Sequence, residues 1–251
     1  MKNPASISWI VPAFNEENGI GKTVERIARA SAETVSSWEI IIVDDGSTDG
    51  TLKIAEGLTK ENPGVRLLHH PRNLGLGLAY KTGLAAAQKD FVFYTPADDA
   101  FSEEELKKLV SPLGKTDIIV GFISNPEVRP LLRRVISRAY TICVNLIFNL
   151  NLPYYHGAVY RTSWAQQVDI TTASFAFQAE LLVKMMKKGC SWQAVGFEIS
   201  ERISGASKAA SFKNIFGVPA ALLHLVKEIY VKPLYLRFKR LLDVSISPLR
   251  R

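Results

Sequence analysis

The chain has 251 residues, of which 47% are hydrophobic and 22% are charged, and its formal net charge is +7. These fractions are normal for globular proteins, so the chain can bury a sizeable core as one large domain or two small ones. Two cysteines, Cys143 and Cys190, exclude a disulfide framework and predict reduced thiols in a reducing compartment. The N-terminus has no long apolar stretch, so we expect no signal peptide.

The positive charge is concentrated at the C-terminus. Residues 208–251 contain nine Lys or Arg against two acids, Glu228 and Asp243, so this tail accounts for the whole excess of +7. The tail interleaves its charges with Leu, Ile, Phe and Tyr. This pattern favours an anionic membrane surface or a partner helix over nucleic acid as the binding partner.

The first half of the chain alternates short apolar runs with amphipathic segments. This alternation predicts an α/β fold, in which helices cover both faces of a mostly parallel sheet. Five strands are predicted over residues 6–12, 39–43, 65–69, 91–95 and 117–122. The helices between them are predicted over residues 21–31, 51–61 and 79–88. A fourth helix begins at Ser102, which with Glu105 is typical of a capping box.

The pattern changes after Asn125. Residues 126–152 combine a basic start with an apolar body, which predicts one long helix. A strand within residues 153–161, an amphipathic helix over residues 175–188 and a strand over residues 193–199 are predicted next. The last forty residues are predicted to be helical, with interruptions at Pro219 and Pro233. Residues 215–231 are too short and too charged for a membrane span, so we expect an interfacial helix or one that packs on the domain.

The segment IIVDDGSTDG, residues 41–50, suggests where a ligand binds. Its apolar half predicts a strand buried on both faces, and its polar half predicts the loop that follows. Ligands of open α/β sheets bind beyond the carboxyl ends of the strands, where Asp44 and Asp45 are expected to lie. The alternative is that these carboxylates cap the next helix, as Asp49 is expected to do for the helix at residue 51.

Four such segments follow in order: PAFNEE (residues 12–17), DDGSTDGT (44–51), NLGLGLA (73–79) and PADDAF (96–101). Together they resemble glycosyltransferase family 2, which has the GT-A fold. The resemblance covers about residues 5–210. It implies a glycosyltransferase domain over residues 1–208, followed by a basic amphipathic helical tail over residues 209–251.

The resemblance also implies a nucleoside-diphosphate sugar as donor. Asp44 and Asp45 would accept hydrogen bonds from the base and the ribose. The glycines of the third motif would allow close approach of the backbone to the donor, or would simply form a strand-to-helix turn. The residues implied for donor binding are Pro12, Ala13, Asn15, Glu16, Asp44, Asp45, Asn73, Gly75 and Asp98.

The fourth motif departs from the family pattern. The family usually has Asp-x-Asp at this place, which ligates a divalent metal on the donor diphosphate, whereas Pro96 here replaces the first Asp. Asp98 and Asp99 are the candidate catalytic residues, and Asp98 is the candidate ligand for Mg²⁺ or Mn²⁺. Metal dependence stays open, because proline offers no side-chain ligand. The alternative is that both carboxylates cap the following helix.

The second half resembles the polyprenyl-phosphate glycosyltransferases of the family. Arg133 and Ser137 match an Arg-x-x-x-Ser element that grips phosphate. Arg202, Ser207 and Lys208 match an Arg-x-x-Gly-x-Ser-Lys loop that closes over the site. Cations there would offset the repulsion between the donor diphosphate and a lipid phosphate. The alternative for the arginines near Arg133 is a solvated helix face.

Two further departures concern the region of the fifth and sixth strands. Phe122 and Ile123 stand where the family often has Ser-Arg, and His156 stands where it often has Asp. His156 could act as a base or a hydrogen-bond donor, or it could be structural. These differences are consistent with another donor sugar or with weakened catalysis.

The resemblance therefore implies inverting transfer of a sugar from a nucleoside-diphosphate donor to a polyprenyl phosphate. An ionised phosphate is already nucleophilic, which reduces the need for a general base. We expect a cytoplasmic protein, peripheral on a membrane, with no nucleic acid as partner. Two alternatives are a soluble hydroxyl acceptor, with Asp99, Glu180 or His156 as base, and a protein that binds nucleotide sugars without catalysis.

Overall fold

A computed structural model describes residues 2–98, 101–153, 155–198, 220, 222–232 and 234–235, and only the backbone of Tyr155 and His156. The chain divides into two compact units, Met1–Ser204 and Gly205–Arg251. The predicted domain boundary after Lys208 lies outside the described residues and stays a prediction.

One seven-stranded sheet forms the centre of the first unit. Its spatial order is β3-β2-β1-β4-β6-β5-β7, and all neighbouring pairs are parallel except those that involve β6. This confirms the predicted α/β fold with a mostly parallel sheet. The strands are β1 (Asn3–Ala13), β2 (Val35–Asp44), β3 (Val65–His69), β4 (Phe91–Tyr94), β5 (Ile118–Ile123), β6 (Tyr155–Arg161) and β7 (Trp192–Phe197).

Helices cover both faces of this sheet. On one face the first helix packs against the second and fourth helices and on β1 and β2, while the third helix lies on the other face. The third helix also meets the seventh through the stacked rings of Tyr80 and Phe177. The helices are α1 (Ile20–Thr34), α2 (Thr51–Glu61), α3 (Leu76–Ala86), α4 (Glu103–Val110), α5 (Leu131–Phe148), α6 (Thr162–Ala165) and α7 (Phe177–Lys187).

The apolar run at the end of β2 accounts for the position of the site. Ile40, Ile41, Ile42 and Val43 are all fully buried, so both faces of this strand pack against helices, as predicted. A strand that is buried on both faces runs up to the edge of the sheet, where polar residues can reach solvent. Asp44 is its last residue, so the acidic loop begins at the carboxyl edge of the sheet.

The strand order creates a crevice at this edge. The chain passes from β1 through α1 to β2 on one side, whereas β4 returns to the other side of β1. Connections that leave in opposite directions from neighbouring strands open a crevice beyond their carboxyl ends. The loops after β1 and β4 flank this crevice, and the loop after β2 lies beside them.

Several predicted elements are confirmed with shifted ends. The predicted helix over residues 126–152 is divided into a 3₁₀ turn, Pro126–Val128, and α5. Pro130 explains the break, because the preceding residue, Arg129, adopts an extended conformation that proline favours. The capping box of Ser102 and Glu105 is present at the start of α4.

The second unit is described over part of residues 220–235. Residues 222–232 are helical and include a π-helical turn, Lys227–Val231. Leu223, Leu234 and Tyr235 are each at least 60% exposed there. In the part of the chain that the structure describes, none of the helices has both the length and the apolar character that crossing a bilayer requires.

Candidate active site

Hydrogen bonds tie the loop after β1 to the loop after β2. Pro12 and Ala13 are the last residues of β1, and the carbonyl oxygen of Ala13 accepts a hydrogen bond from the amide of Asp45 at 2.8 Å. Oδ1 of Asn15 accepts one from the amide of Thr48, also at 2.8 Å. Asn15 has a φ of 54°, a left-handed conformation that asparagine tolerates better than most residues. These two predicted donor motifs, residues 12–17 and 44–51, are therefore connected, and we call them the donor rim.

Asp45 connects the rim to the loop after β3. Its Oδ1 accepts hydrogen bonds from the amide of Leu74 at 2.9 Å and lies 2.7 Å from His70 Nδ1, while its Oδ2 accepts one from the amide of Gly75 at 2.8 Å. The residue is only 3% exposed. Asp45 thus holds the third motif in place, and its predicted contact with the donor stays a prediction.

Asp44 has one carboxylate oxygen engaged and one without a partner. Oδ2 lies 2.8 Å from Nδ1 of His69 and accepts a hydrogen bond from the amide of Ser47 at 3.4 Å. Oδ1 is buried, and the described part of the protein offers it no hydrogen-bond partner. Because buried carboxylate oxygens are normally satisfied, the partner of this atom is a group outside the described residues, either a ligand or another part of the chain.

The glycines of the third motif allow two loops to touch. The φ of Gly75 is 97°, and a Cβ there would lie 2.8 Å from the carbonyl oxygen of Ala173. A Cβ at Gly77 would overlap the carbonyl oxygen of Thr172, and the amide of Gly77 donates to the Ala173 carbonyl at 2.9 Å. Any side chain at these two positions would push the loop before α7 away from α3.

Glu180 fixes the loop before α7 from the other side. Its carboxylate accepts hydrogen bonds from the hydroxyl of Thr171 at 2.8 Å, the amide of Thr172 at 3.0 Å and the ammonium of Lys184 at 2.6 Å. Burial alone would raise the pKa of Glu180, but these hydrogen bonds lower it to about 2. The role of general base suggested for Glu180 is corrected to a structural one, since its oxygens are engaged and only 1% of the residue is exposed.

The fourth motif closes against the first. A Cβ at Gly19 would lie 2.5 Å from the carbonyl oxygen of Ala97 and 3.1 Å from the Cα of Asp98, so the start of α1 touches the loop after β4. Burial raises the pKa of the Tyr94 hydroxyl, and the negative charges of Asp98 and Glu16 raise it further. A protonated phenol therefore lies near both carboxylates, at the crevice between β1 and β4.

The metal-ligating capacity of this motif is small. Pro96 has no side-chain ligand, and Asp98 has an exposed position in the loop. Within the described residues, no three His, Cys, Asp or Glu side chains come together as a metal site. One carboxylate still suits Mg²⁺ or Mn²⁺ when phosphate and water oxygens complete the shell, so the residues fit a cation held mainly by a diphosphate.

The predicted acceptor residues are only partly described. Arg133 and Ser137 lie one turn apart on α5, on the same side and both partly buried. Their proximity to the donor rim and their contact with an acceptor phosphate stay predictions. Three other predicted residues, Arg202, Ser207 and Lys208, lie outside the described residues, as do Asp99 and the side chain of His156.

Sequence reasoning missed the two histidines at the end of β3, His69 within the strand and His70 directly after it. Neighbouring strands place Asp44 opposite His69, so consecutive aspartates meet consecutive histidines. His70 also contacts Thr82 Oγ1 at 3.0 Å through Nε2. The signal was the similar placement of two polar pairs, each at the end of a predicted strand, although the sequence alone does not reveal strand register.

Comparison with known proteins agrees with this geometry. The family model of glycosyl transferase family 2 matches residues 8–180, which include the rim and the start of α7. A dodecaprenyl-phosphate galacturonate synthase of Rhizobium johnstonii is 31% identical over 65% of this chain and 50% of its own length. An undecaprenyl-phosphate mannosyltransferase of Micrococcus luteus is 27% identical over 79% of this chain and 85% of its own. The chain spans half or less of the length of several other curated relatives.

Solved structures support the same fold. Glucosyl-3-phosphoglycerate synthase of Mycobacterium tuberculosis, in complex with Mn²⁺, UDP and glucosyl-3-phosphoglycerate, superimposes with a TM-score of 0.63. The match covers 88% of this chain and 80% of that one at 21% identity, which shows the GT-A fold alone. Because the family model covers more than half of the sequence, the chain belongs to glycosyl transferase family 2.

Proposed function

We propose that this protein transfers a sugar from a nucleoside-diphosphate sugar to a polyprenyl phosphate, with inversion at the anomeric carbon. The observation that carries the proposal is the convergence of the loops after β1, β2 and β4 on the crevice between β1 and β4. Relatives whose names specify dodecaprenyl and undecaprenyl phosphate support the choice of acceptor.

The donor half of the proposal rests on Asp44. Its Oδ1 has no partner among the residues that the structure describes, and it is a hydrogen-bond acceptor suited to an imide N–H of a base or a ribose hydroxyl. His69 fixes the other oxygen and thereby the orientation of the carboxylate. We assign Asp44 to the nucleoside and Asp45 to positioning of the loop that carries Asn73 and Gly75.

A divalent cation is proposed as cofactor, with Asp98 as its protein ligand. When bound, Mg²⁺ or Mn²⁺ would neutralise charge on the donor diphosphate and on the departing nucleoside diphosphate. Asp99 is the candidate for a second carboxylate in the same loop. The hydroxyl of Tyr94 lies near Asp98 and Glu16, whose negative charges raise its pKa.

The reaction is a single displacement. An oxygen of the acceptor phosphate forms a bond to the anomeric carbon as the bond from that carbon to the donor diphosphate breaks. The nucleoside diphosphate leaves with the bonding electron pair. Arg133 and Ser137 are proposed to bind the acceptor phosphate, and Arg202, Ser207 and Lys208 to close over it, because arginine and lysine offset the approach of two anions.

Of the three candidate bases for a soluble hydroxyl acceptor, Glu180 is disfavoured by its own state, whereas Asp99 and the side chain of His156 lie outside the described residues. That reaction needs a general base, and Glu180 is buried, ionised and saturated with hydrogen bonds. A lipid phosphate needs no such base. We propose a peripheral position on the cytoplasmic face of a membrane, with an anionic lipid surface as partner of the basic tail.

The test is transfer of labelled sugar from a panel of nucleoside-diphosphate sugars to a polyprenyl phosphate in detergent, with and without EDTA. The proposal predicts transfer from at least one donor and a loss of about 100-fold or more in Asp98→Ala, since this residue would act on the leaving diphosphate. Asp169→Ala is the matched control, because Asp169 is an exposed aspartate outside the four motifs and pairs with Lys81 on α3.

The outcomes separate the alternatives. Donor binding without transfer to any phosphate or hydroxyl acceptor would favour a non-catalytic binding protein. Full activity of Asp98→Ala would remove the assignment of this residue to the metal and the diphosphate.

A further inference from the structure

The two oxygens of the Asp44 carboxylate are not equivalent. Oδ2 lies 2.8 Å from Nδ1 of His69 and also accepts a hydrogen bond from the amide of Ser47 at 3.4 Å. A carboxylate oxygen only accepts, so the imidazole ring donates from Nδ1. Oδ1 has no hydrogen-bond partner among the residues that the structure describes. Asp44 therefore offers a ligand one acceptor atom, where a carboxylate without partners would offer two.

The neighbouring carboxylate offers a ligand less. Oδ1 of Asp45 accepts a hydrogen bond from the amide of Leu74 and contacts His70, while Oδ2 accepts one from the amide of Gly75. Both oxygens of Asp45 are thus engaged by the loop after β3. Of these two adjacent aspartates, only Asp44 has an oxygen left to receive a group from the donor nucleotide.

Nucleobases differ in the number of N–H groups that they direct at a carboxylate. Uracil and thymine present a single imide N–H at N3, whereas guanine presents two neighbouring donors, at N1 and N2, that suit both oxygens of one carboxylate. Cytosine has an acceptor at N3, which a carboxylate repels. Because Asp44 is fully buried, a base that pairs with Oδ1 leaves water there, and an N–H group without an acceptor weakens binding.

We propose that Asp44 selects a donor nucleotide whose base has a single imide N–H, uracil or thymine, and that His69 sets this selectivity by occupying Oδ2. Guanine could pair its N1–H with Oδ1, but its N2–H would meet an oxygen that His69 and Ser47 already engage. His69 is therefore a positioning residue, because it acts on the base through Asp44.

The register of the sheet explains why His69 has this position. β2 and β3 are parallel, and Asp44 and His69 stand opposite each other at their ends. The side chain of His69 is 44% exposed, so its replacement should leave the core intact. His70 is buried and also contacts Thr82, so a change there would disturb the fold as well as the rim. His69 is thus the histidine whose substitution tests selectivity.

The inference rests on the proposed function, in which Asp44 binds the nucleoside of the donor. It narrows the donor from any nucleoside-diphosphate sugar to one that carries uracil or thymine. If Oδ1 instead accepted a hydrogen bond from the ribose, the site would not distinguish these bases from guanine.

The test is isothermal titration of UDP, dTDP, GDP and CDP into wild type and three variants of the full chain. His69→Ala removes the N–H donor and releases Oδ2. His69→Asn keeps an N–H donor, because the side-chain amide can take the place of Nδ1. His224→Ala is the matched control, since His224 lies in the second unit and outside the four motifs. Thermal unfolding verifies that each variant is folded.

We expect wild type to bind UDP or dTDP about tenfold or more tightly than GDP and CDP. The ratio of the GDP and UDP dissociation constants should fall about fivefold or more in His69→Ala, because guanine gains a second acceptor. The ratio should be retained in His69→Asn and His224→Ala. The tighter of UDP and dTDP identifies the pyrimidine.

Two results would overturn the inference. The first is wild type that binds GDP or CDP as tightly as UDP and dTDP. The second is a folded His69→Ala that weakens all four nucleotides equally or leaves their ratios unchanged, since a purely structural histidine would behave in this way.

The sugar-transfer assay separates this inference from the proposed function. Transfer from a GDP sugar alone would support the reaction and overturn the selectivity. The predicted nucleotide ratios in a protein that transfers no sugar would remove the reaction and leave the selectivity in place. Absence of binding to all four nucleotides would overturn the inference together with the assignment of Asp44.

Discussion

The donor rim and helix α5 are built in opposite ways. The rim consists of loops joined by buried carboxylates. Asp45, for example, forms three hydrogen bonds, with His70, Leu74 and Gly75. α5 is joined to the domain through three buried side chains and directs apolar residues to the outside. A nucleotide presents fixed groups and favours a pre-organised site of the first kind.

This difference has energetic consequences. Substitutions in the rim remove partners from buried polar groups and should destabilise the fold strongly. Substitutions on the outer face of α5 remove little buried area, so they should leave stability nearly unchanged. The predictions below compare the two regions on this basis.

The largest effect is expected for Asp45→Ala. The substitution leaves the amides of Leu74 and Gly75 and the ring of His70 without their acceptor. The free energy of unfolding should fall by about 3 kcal/mol or more. Leu146→Ala on the outer face of α5 is the control, with a change within about 0.5 kcal/mol. Urea denaturation measures the free energy of unfolding of both variants. Equal losses in Asp45→Ala and Leu146→Ala would contradict the structural role of Asp45.

The next effect concerns acid stability through Glu180. Its pKa in the folded protein is about 2, below the usual 4.5, so its stabilisation is complete above pH 4.5 and is lost as the pH falls toward 2. The shift corresponds to about 3 kcal/mol. In Glu180→Gln this component should be absent, so the difference in unfolding free energy from wild type should shrink between pH 5 and pH 2.

The matched control for the acid series is Glu61→Gln, an exposed glutamate at the end of α2. Its stability should follow wild type within about 0.5 kcal/mol at each pH. A constant difference between wild type and Glu180→Gln from pH 5 to pH 2 would contradict the account.

A smaller effect is expected for Gly77→Ala. The added methyl group would overlap the carbonyl oxygen of Thr172 and separate α3 from the loop before α7, at a cost of about 2 kcal/mol. Gly57→Ala in α2 meets no atom within 4 Å and should stabilise the protein by about 0.5 kcal/mol or more. Thermal unfolding distinguishes the two variants: Gly77→Ala should lower the melting temperature and Gly57→Ala should raise it. Shifts of the same sign would show that the loop at Thr172 moves to accommodate the added methyl group.

Periodicity predicted most of the fold because the buried strands are unambiguous. Ile40–Val43 is apolar at every position, and residues 65–69 form β3 with the predicted bounds. The strand order and the antiparallel β6 were not predictable, because single-sequence patterns do not encode which strands pair. The predicted strand over residues 193–199 ends in the structure at Phe197.

The candidate site was predicted in outline for a similar reason. Polar residues after buried strands are expected to gather at the carboxyl edge, which predicts that Asp44 and Asp98 lie close together. That proximity stays a prediction. The partners of these residues depend on strand register and on distant loops. His69 and Glu180 therefore acquire their structural roles only through contacts with residues 25 and 9 positions away.

The central claim is that the carboxylate at the end of β2 binds the nucleoside of the donor. Isothermal titration of UDP and GDP into wild type, Asp44→Ala and Asp90→Ala tests it directly, since Asp90 precedes β4 at the opposite edge of the sheet. The account predicts binding of at least one nucleotide, weakened about tenfold or more, or about 1.4 kcal/mol, in Asp44→Ala alone. Equal affinity of wild type and a folded Asp44→Ala, or no nucleotide binding by wild type, would contradict it.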